Sequence, residues 1–226
     1  MNILVLGRGK TGALVAEVAR ERHHHVRVLS GAENRNAAAL TPEKLSGVDV
    51  VIDFTTPDAV IENIAACAAA GKNMAVGTTG WYRRLDEIRK LVESSGIGLL
   101  YAANFSIGVN IFFDIAHAAA IALKNDYFGE IMERHHAHKK DAPSGTALQL
   151  QKILQKIGGG ELEIVSFREG DVVGLHEITL DCANDSIRLA HDAKSRRGFA
   201  EGAVRGAEWL LGKHGFFDFS EIWRDL

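Results

Sequence analysis

From Glu133 to Ala147 the chain runs Glu-Arg-His-His-Ala-His-Lys-Lys-Asp-Ala-Pro-Ser-Gly-Thr-Ala, a dense grouping of proton donors beside a turn. Pro143 disfavours helix at Ala142. Ser144 is a good N-cap for a helix whose apolar positions are Leu150, Ile153, Leu154 and Ile157. Gly145 and Thr146 then stand in the first helical turn, where amide groups point outward and no bulky side chain at Gly145 blocks a ligand. Such a helix start attracts an anion, and a carboxylate suits it as well as a phosphate. His135, His136, His138, Lys139 and Lys140 stand a few residues upstream and add donors and positive charge. A small dicarboxylate or similar anion is therefore the natural occupant. The three histidines alone suggest a metal site or a polar surface loop. No carboxylate or thiolate stands at ligand spacing to complete a shell, so no metal is expected.

A second segment points to a different ligand. Gly7-Arg8-Gly9-Lys10-Thr11-Gly12 lies between a short apolar run, Ile3 to Leu6, and a helical pattern with Leu14, Val15, Val18 and Ala19. In that context Gly7 permits a tight turn, Gly9 lets amide groups approach a pyrophosphate, and Gly12 lets the helix pack close to the strand. The cofactor implied is NADH or NADPH. The acidic residue that usually ends the second strand is replaced by Ser30, with Glu33 and Arg35 close behind, so the preference between the two stays open. Gly77-Thr78-Thr79-Gly80 and Ala102-Ala103-Asn104-Phe105-Ser106 each follow a predicted strand, at the edge of an open sheet where ligands sit.

The elements that must position these residues fall into two rhythms. Up to about residue 104, strands at 3–6, 26–29, 48–52, 74–76 and 98–102 alternate with helices, one entered at Thr56-Pro57-Asp58 and closed at Gly71. This is the pattern of an α/β, doubly wound parallel sheet, a Rossmann domain. Beyond it come an apolar helix at 107–123, a strand at 129–134, the helix after Ser144, and strands at 162–167, 176–181 and 187–191. Strands in succession predict a second α+β domain with a mixed or antiparallel sheet. The boundaries expected are 1–104 and 105–205, with 206–226 and its aromatics Phe216, Phe217, Phe219 and Trp223 packing back on the first domain. Lys and Arg total 26 against 29 Asp and Glu, a net charge of -3, which argues against nucleic acid as a partner. Two cysteines exclude a disulfide framework. The opening Met1–Gly7 lacks a basic leader and no run of about 18 uninterrupted apolar residues occurs, so a cytoplasmic protein outside the membrane is expected.

Residues 133–147 resemble the signature of the dihydrodipicolinate reductases (4-hydroxy-tetrahydrodipicolinate reductases), Glu-x-His-His-x-x-Lys-x-Asp-x-Pro-Ser-Gly-Thr, and fill every specified position. The likeness extends to Asp53-Phe54-Thr55, Gly77-Thr78-Thr79-Gly80, Asn104-Phe105-Ser106, Arg168-Glu169-Gly170 with Gly174 and His176, and Ser195-Arg196 through Trp209. The glycine loop is one residue shorter than the family's Gly-x-x-Gly-x-x-Gly, and the segment between the second and third strands is abbreviated. The resemblance implies NAD(P)H-dependent reduction of a cyclic imine dicarboxylate in the diaminopimelate route to lysine. It implies that His135 and Lys139 are the catalytic proton donors, that His136 contacts substrate, and that Ser144, Gly145 and Thr146 hold a substrate carboxylate. It places the cofactor against residues 7–12, 77–79 and 102–105, and it implies a homotetramer assembled through the second domain. Another two-domain dehydrogenase, acting on an amino or imino acid such as aspartate, is the alternative enzyme. A dinucleotide-binding redox sensor without turnover is the alternative outside catalysis, and it leaves the histidine–lysine cluster unexplained.

Overall fold

The computed structural model describes residues 1–160 and 162–226. Its chain divides into two compact units: unit 1 comprises Met1–Ile107 and Arg197–Leu226, and unit 2 comprises Gly108–Arg196.

In chain order the first unit begins with β1 (Asn2–Leu6), α1 (Lys10–Glu21), β2 (His25–Leu29), β3 (Val50–Asp53), α2 (Pro57–Ala69), β4 (Asn73–Val76), α3 (Leu85–Ser95) and β5 (Gly98–Tyr101). The second unit holds most of α4 (Ile107–Ala119), then β6 (Phe128–His135), α5 (Gly145–Gly158), β7 (Glu163–Arg168), β8 (Leu175–Asp181) and β9 (Ser186–Asp192). The chain returns to unit 1 with α6 (Arg197–Trp209), β10 (Gly215–Asp218) and α7 (Phe219–Ile222).

Unit 1 is an all-parallel six-stranded sheet in the order β10-β5-β4-β3-β1-β2. Strands buried on both faces carry apolar residues at every position, and alternate ones go to opposite layers. Ile3, Val5, Val50, Ile52, Ala75 and Leu100 pack with α1 and α6. Leu4, Leu6, Val51, Met74, Val76 and Leu99 pack with α2 and α3 on the other side. The aromatic tail supplies more than packing. Phe216 and Phe217 lie in β10, a sixth strand paired with β5, and the buried Phe219 closes the core beneath α6. Thr56 stands at the N-cap position of α2 with Pro57 next, but its hydroxyl makes no capping bond.

Unit 2 is a mixed sheet, order β7-β6-β8-β9, with β6 and β7 parallel and the other pairs antiparallel. One face is covered by α4 and α5: Phe112, Ala116, Leu150 and Leu154 meet Ile131, Ile178 and Leu180. Ile107–Lys124 has the length and apolar character of a membrane span, although polar and ionisable residues such as Asn110, Asp114 and His117 interrupt it. Its buried residues Phe112, Ala116, Ala120 and Ala122 belong to this core.

Candidate active site

In unit 1 the β1–α1 turn behaves as its three glycines require. Gly7 has φ +104, and a Cβ there would stand 2.2 Å from the Phe54 carbonyl oxygen. A Cβ on Gly12 would stand 2.1 Å from the Gly7 oxygen, so α1 sits directly against the turn. Gly9 meets nothing within 4 Å of its missing side chain. That open side faces a cleft of about 290 Å³ lined by Gly9, Lys10, Thr11, Gly12, Phe54, Thr55, Pro57, Gly77, Thr78 and Thr79. An N-terminal helical turn beside backbone without Cβ atoms fits a pyrophosphate.

The remaining residues expected at the cofactor are placed differently. Gly7 supports the turn from below. Arg8 turns outward to the Val28 carbonyl and to Glu33, 3.4 Å away. Ala102 to Phe105 do not line this cleft: Ala102 is buried with its amide on Val76, and the Phe105 ring packs between Phe54 and Phe219. Phe105 thus backs the cleft wall, since Phe54 is one of its lining residues.

Below the cleft lies a buried carboxylate, Asp53, which the sequence places within the family likeness but gives no role. Asp53 Oδ1 accepts from the Thr55 amide (2.9 Å), the Thr55 hydroxyl (2.7 Å) and the Thr78 hydroxyl (2.6 Å), and Oδ2 accepts from Asn63 (2.8 Å). Asn63 accepts in turn from Asn34, whose own oxygen takes the Ala39 amide. Burial pushes the Asp53 carboxyl up, and these donors oppose that shift.

In unit 2 the strand period places the chemistry. Ile131, Glu133 and His135 alternate onto the inner face of β6, and His176 lies opposite Glu133 on β8. His135 Nδ1 is hydrogen-bonded to Glu133 Oε2. Glu133 Oε1 accepts from Arg168 Nη2 at 2.6 Å and from the Ser144 amide at 3.3 Å. Ser144 caps α5 as expected, its hydroxyl accepting from the Ala147 amide, and the same hydroxyl is 3.0 Å from His176 Nε2. The rings of His135 and His176 meet edge to face at 5.1 Å. Arg168 also donates to the Asp141 carbonyl and so ties down the turn before the helix. Lys139 pairs with Asp141 at 2.8 Å. Gly145 has open space where a side chain would stand.

Of the three upstream histidines, only His135 is buried; His136 and His138 lie apart from it on the loop, their rings 6.5 Å from each other. The carboxylate that was absent at metal-ligand spacing in the loop is supplied two residues back on the strand. Glu133, His135 and His176 bring ligand atoms within 4.8 Å of one another. Glu133 is already shared by an imidazole and a guanidinium, a hydrogen-bonded cluster in which Arg168 opposes a second cation.

Burial works against ionisation of Glu133, but its hydrogen bonds from Arg168 and His135 outweigh that and keep the carboxyl low. Burial also lowers His135 despite the adjacent Glu133, with Lys139 and Arg168 acting in the same direction as burial. His176 is pushed down to about 3 by burial and by His135, so it is neutral. Glu133, Arg168 and His176 lie far apart in sequence. The period-2 pattern in Ile131, Glu133 and His135 signals only the first of them, as a charge on an inward strand position.

A doubly wound unit with a glycine turn and cleft, carrying an α+β unit within its chain, defines the Rossmann class of dinucleotide-binding folds. The comparisons narrow that class. A dihydrodipicolinate reductase N-terminus model matches residues 1–105 and a dihydrodipicolinate reductase C-terminus model matches residues 108–223. The chain belongs to the dihydrodipicolinate reductase family. It is 36% identical over 242 residues to the 4-hydroxy-tetrahydrodipicolinate reductase of Christiangramia forsetii, covering 100% of this chain and 99% of that one. It is 41% identical over 198 residues to the enzyme of the same name from Pseudomonas fluorescens, covering 77% and 72%. Among solved structures, the dipicolinate-bound dihydrodipicolinate reductase of Paenisporosarcina sp. TG-14 shares the fold, with a TM-score of 0.77 at 23% identity over 98% of this chain and 99% of that one.

Proposed function

We propose that the chain is a 4-hydroxy-tetrahydrodipicolinate reductase, using NADH or NADPH to reduce a cyclic imine dicarboxylate to tetrahydrodipicolinate on the diaminopimelate route to lysine. The observation that carries the reading is the bonded cluster of His135, Glu133 and Ser144, which joins a proton-exchanging ring to an anion-binding helix start. Relatives bearing that activity match along the chain and support it.

The residues of the unit 1 cleft fit a dinucleotide, whose pyrophosphate would lie at Gly9–Gly12 with Gly77, Thr78 and Thr79 forming the wall. Bound NAD(P)H supplies the hydride from the nicotinamide ring. The α5 start holds a substrate carboxylate through the Gly145 and Thr146 amides and the helix dipole, while Ser144, whose amide goes to Glu133, caps the helix beneath it. His136 and Lys139 face charge on the bound dicarboxylate, which lowers the energy of the electron-rich intermediate. His135 has Nδ1 turned to Glu133, so Nε2 is the nitrogen that exchanges a proton with substrate. Lys139 is the second donor.

Unit 1 is the dinucleotide-binding part and unit 2 the part for substrate and assembly. The face of the unit 2 sheet turned away from α4 and α5 shows Phe128, 79% exposed, and Phe167, and Ile111 and Ile115 are exposed on α4. These surfaces support a homotetramer, for which sedimentation velocity is the measurement, and the biosynthetic activity of the relatives supports a cytoplasmic location, read by cell fractionation. The test is that purified protein should oxidise NADH or NADPH, followed by the loss of reduced-nicotinamide absorbance, only when the cyclic hydroxylated precursor is supplied. No oxidation with either cofactor overturns the assignment.

A further inference from the structure

We propose that Glu133 is a positioning residue of this enzyme. It selects the tautomer of His135, supplies the negative charge that lets the ring hold a proton, and ties that ring to the helix start that receives the substrate carboxylate. The inference rests on the reductase reading above.

An ionised carboxylate at an inward strand position, fully buried above Ile131, is costly unless every lone pair is used. Here both oxygens are engaged. Oε2 faces His135 Nδ1, and Oε1 takes Arg168 Nη2 and the Ser144 amide. An ionised carboxylate only accepts, so Nδ1 must carry the hydrogen and Nε2 is left for exchange. Gly174 keeps that side open: a Cβ there would stand 3.0 Å from Nε2. Ser144 is eleven residues downstream yet bonded to the same carboxylate, so one side chain sets the ring's place relative to the anion site.

The charges around His135 come from every neighbour. Glu133 is on its own strand, Arg168 on β7, Lys139 and Asp141 in the following loop, and His176 on β8 with His191 beyond it. Glu133 raises the proton affinity of His135; Arg168 and Lys139 lower it. The proposal therefore demands opposite responses from two substitutions. In Glu133→Gln the charge is gone: the amide oxygen either keeps Arg168 and the Ser144 amide while the NH2 donates to His135 Nδ1 and turns the ring to its other tautomer, or faces Nδ1 while the NH2 confronts both other donors. The limb of the kcat/KM pH profile governed by His135 moves to lower pH by about one unit, the usual size of a close charge's effect, and kcat falls by about 10-fold or more. In Arg168→Met the same limb moves to higher pH.

Both variants are compared with the wild-type enzyme by pH–rate profiles and by ¹⁵N NMR of the histidine rings. Wild type should show His135 as the Nδ1–H tautomer, and E133Q a mixture. Unchanged limbs and tautomer in a folded E133Q, or shifts of one sign in both variants, overturn the proposal. If E133Q does not fold, R168M decides: an upward shift supports the role and no shift refutes it. Absence of turnover in wild type removes the reductase reading instead, and the tautomer measurement still tests Glu133.

Discussion

The β1–α1 turn assigns different work to glycines three residues apart, and two alanine substitutions separate them. Gly9 has φ -68 and ψ 178, which alanine adopts freely, and nothing lies within 4 Å of the new methyl. As an N-cap replacement, Gly9→Ala costs at most about 1 kcal/mol, or roughly 2–4 °C in Tm for a chain of this size. The methyl projects into the cleft where phosphate oxygens must approach the amides, so the dinucleotide Kd rises about 10-fold or more, equivalent to ~1.4 kcal/mol. Gly12→Ala does the reverse. Its methyl would stand 2.1 Å from a backbone oxygen, closer than a side-chain carbon sits, so α1 must move off the turn. Overpacking of this kind costs about 1–3 kcal/mol, a fall of roughly 2–12 °C in Tm. Thermal unfolding without ligand and fluorescence titration with NADH and NADPH read the two effects. A Gly9→Ala protein that binds the dinucleotide like wild type would refute the placement of the pyrophosphate. A Gly12→Ala protein with unchanged Tm would refute the packing argument.

Two further outcomes follow from buried charge. Burial holds His135 below its ordinary value of 6.5, so near neutral pH the free ring lacks its second proton. A dicarboxylate brings negative charge beside it and raises that pKa. Pyridine-2,6-dicarboxylate should therefore bind with proton uptake just above the free enzyme's His135 pKa, seen by calorimetry in buffers of different ionisation enthalpy and absent in His135→Gln; proton release in the wild type would contradict this. Asp53 sets the direction of the amide chain through Asn63 and Asn34 because its Oδ2 accepts from the Asn63 NH2. Asp53→Asn puts two NH2 groups face to face and should cost about 1–3 kcal/mol, measured by urea unfolding; a change within 0.5 kcal/mol would mean the chain reverses freely.

The parallel sheet was legible because its strands are apolar at successive positions and end in glycine or polar turns, as at Leu6-Gly7 and Val76-Gly77. The α5 start was legible too, since Pro143 and Ser144 act on their immediate neighbours. Phe216 and Phe217 concealed β10 because four residues pair with a strand more than a hundred positions earlier, and local pattern carries no trace of that partner. The same limit hid the hydrogen-bonded cluster around His135. Arg168 reaches Glu133 across a β-strand pairing, and His176 reaches it across another. Ala102 to Phe105 show a different limit. They stand at the correct edge of the sheet, yet Phe105 is drawn inward by its aromatic neighbours Phe54 and Phe219.

The return of the chain through α6 and β10 has a consequence for synthesis. A ribosome delivers the first five strands of the large sheet together, but α6, which packs on one face, and the strand that shields the β5 edge follow only after the whole of unit 2. Until residue 218 clears the exit tunnel, Leu100 and Ala75 lack their cover and β5 offers unpaired backbone to any other extended segment. The large sheet is thus exposed to mispairing for as long as the inserted unit, Gly108–Arg196, is being made.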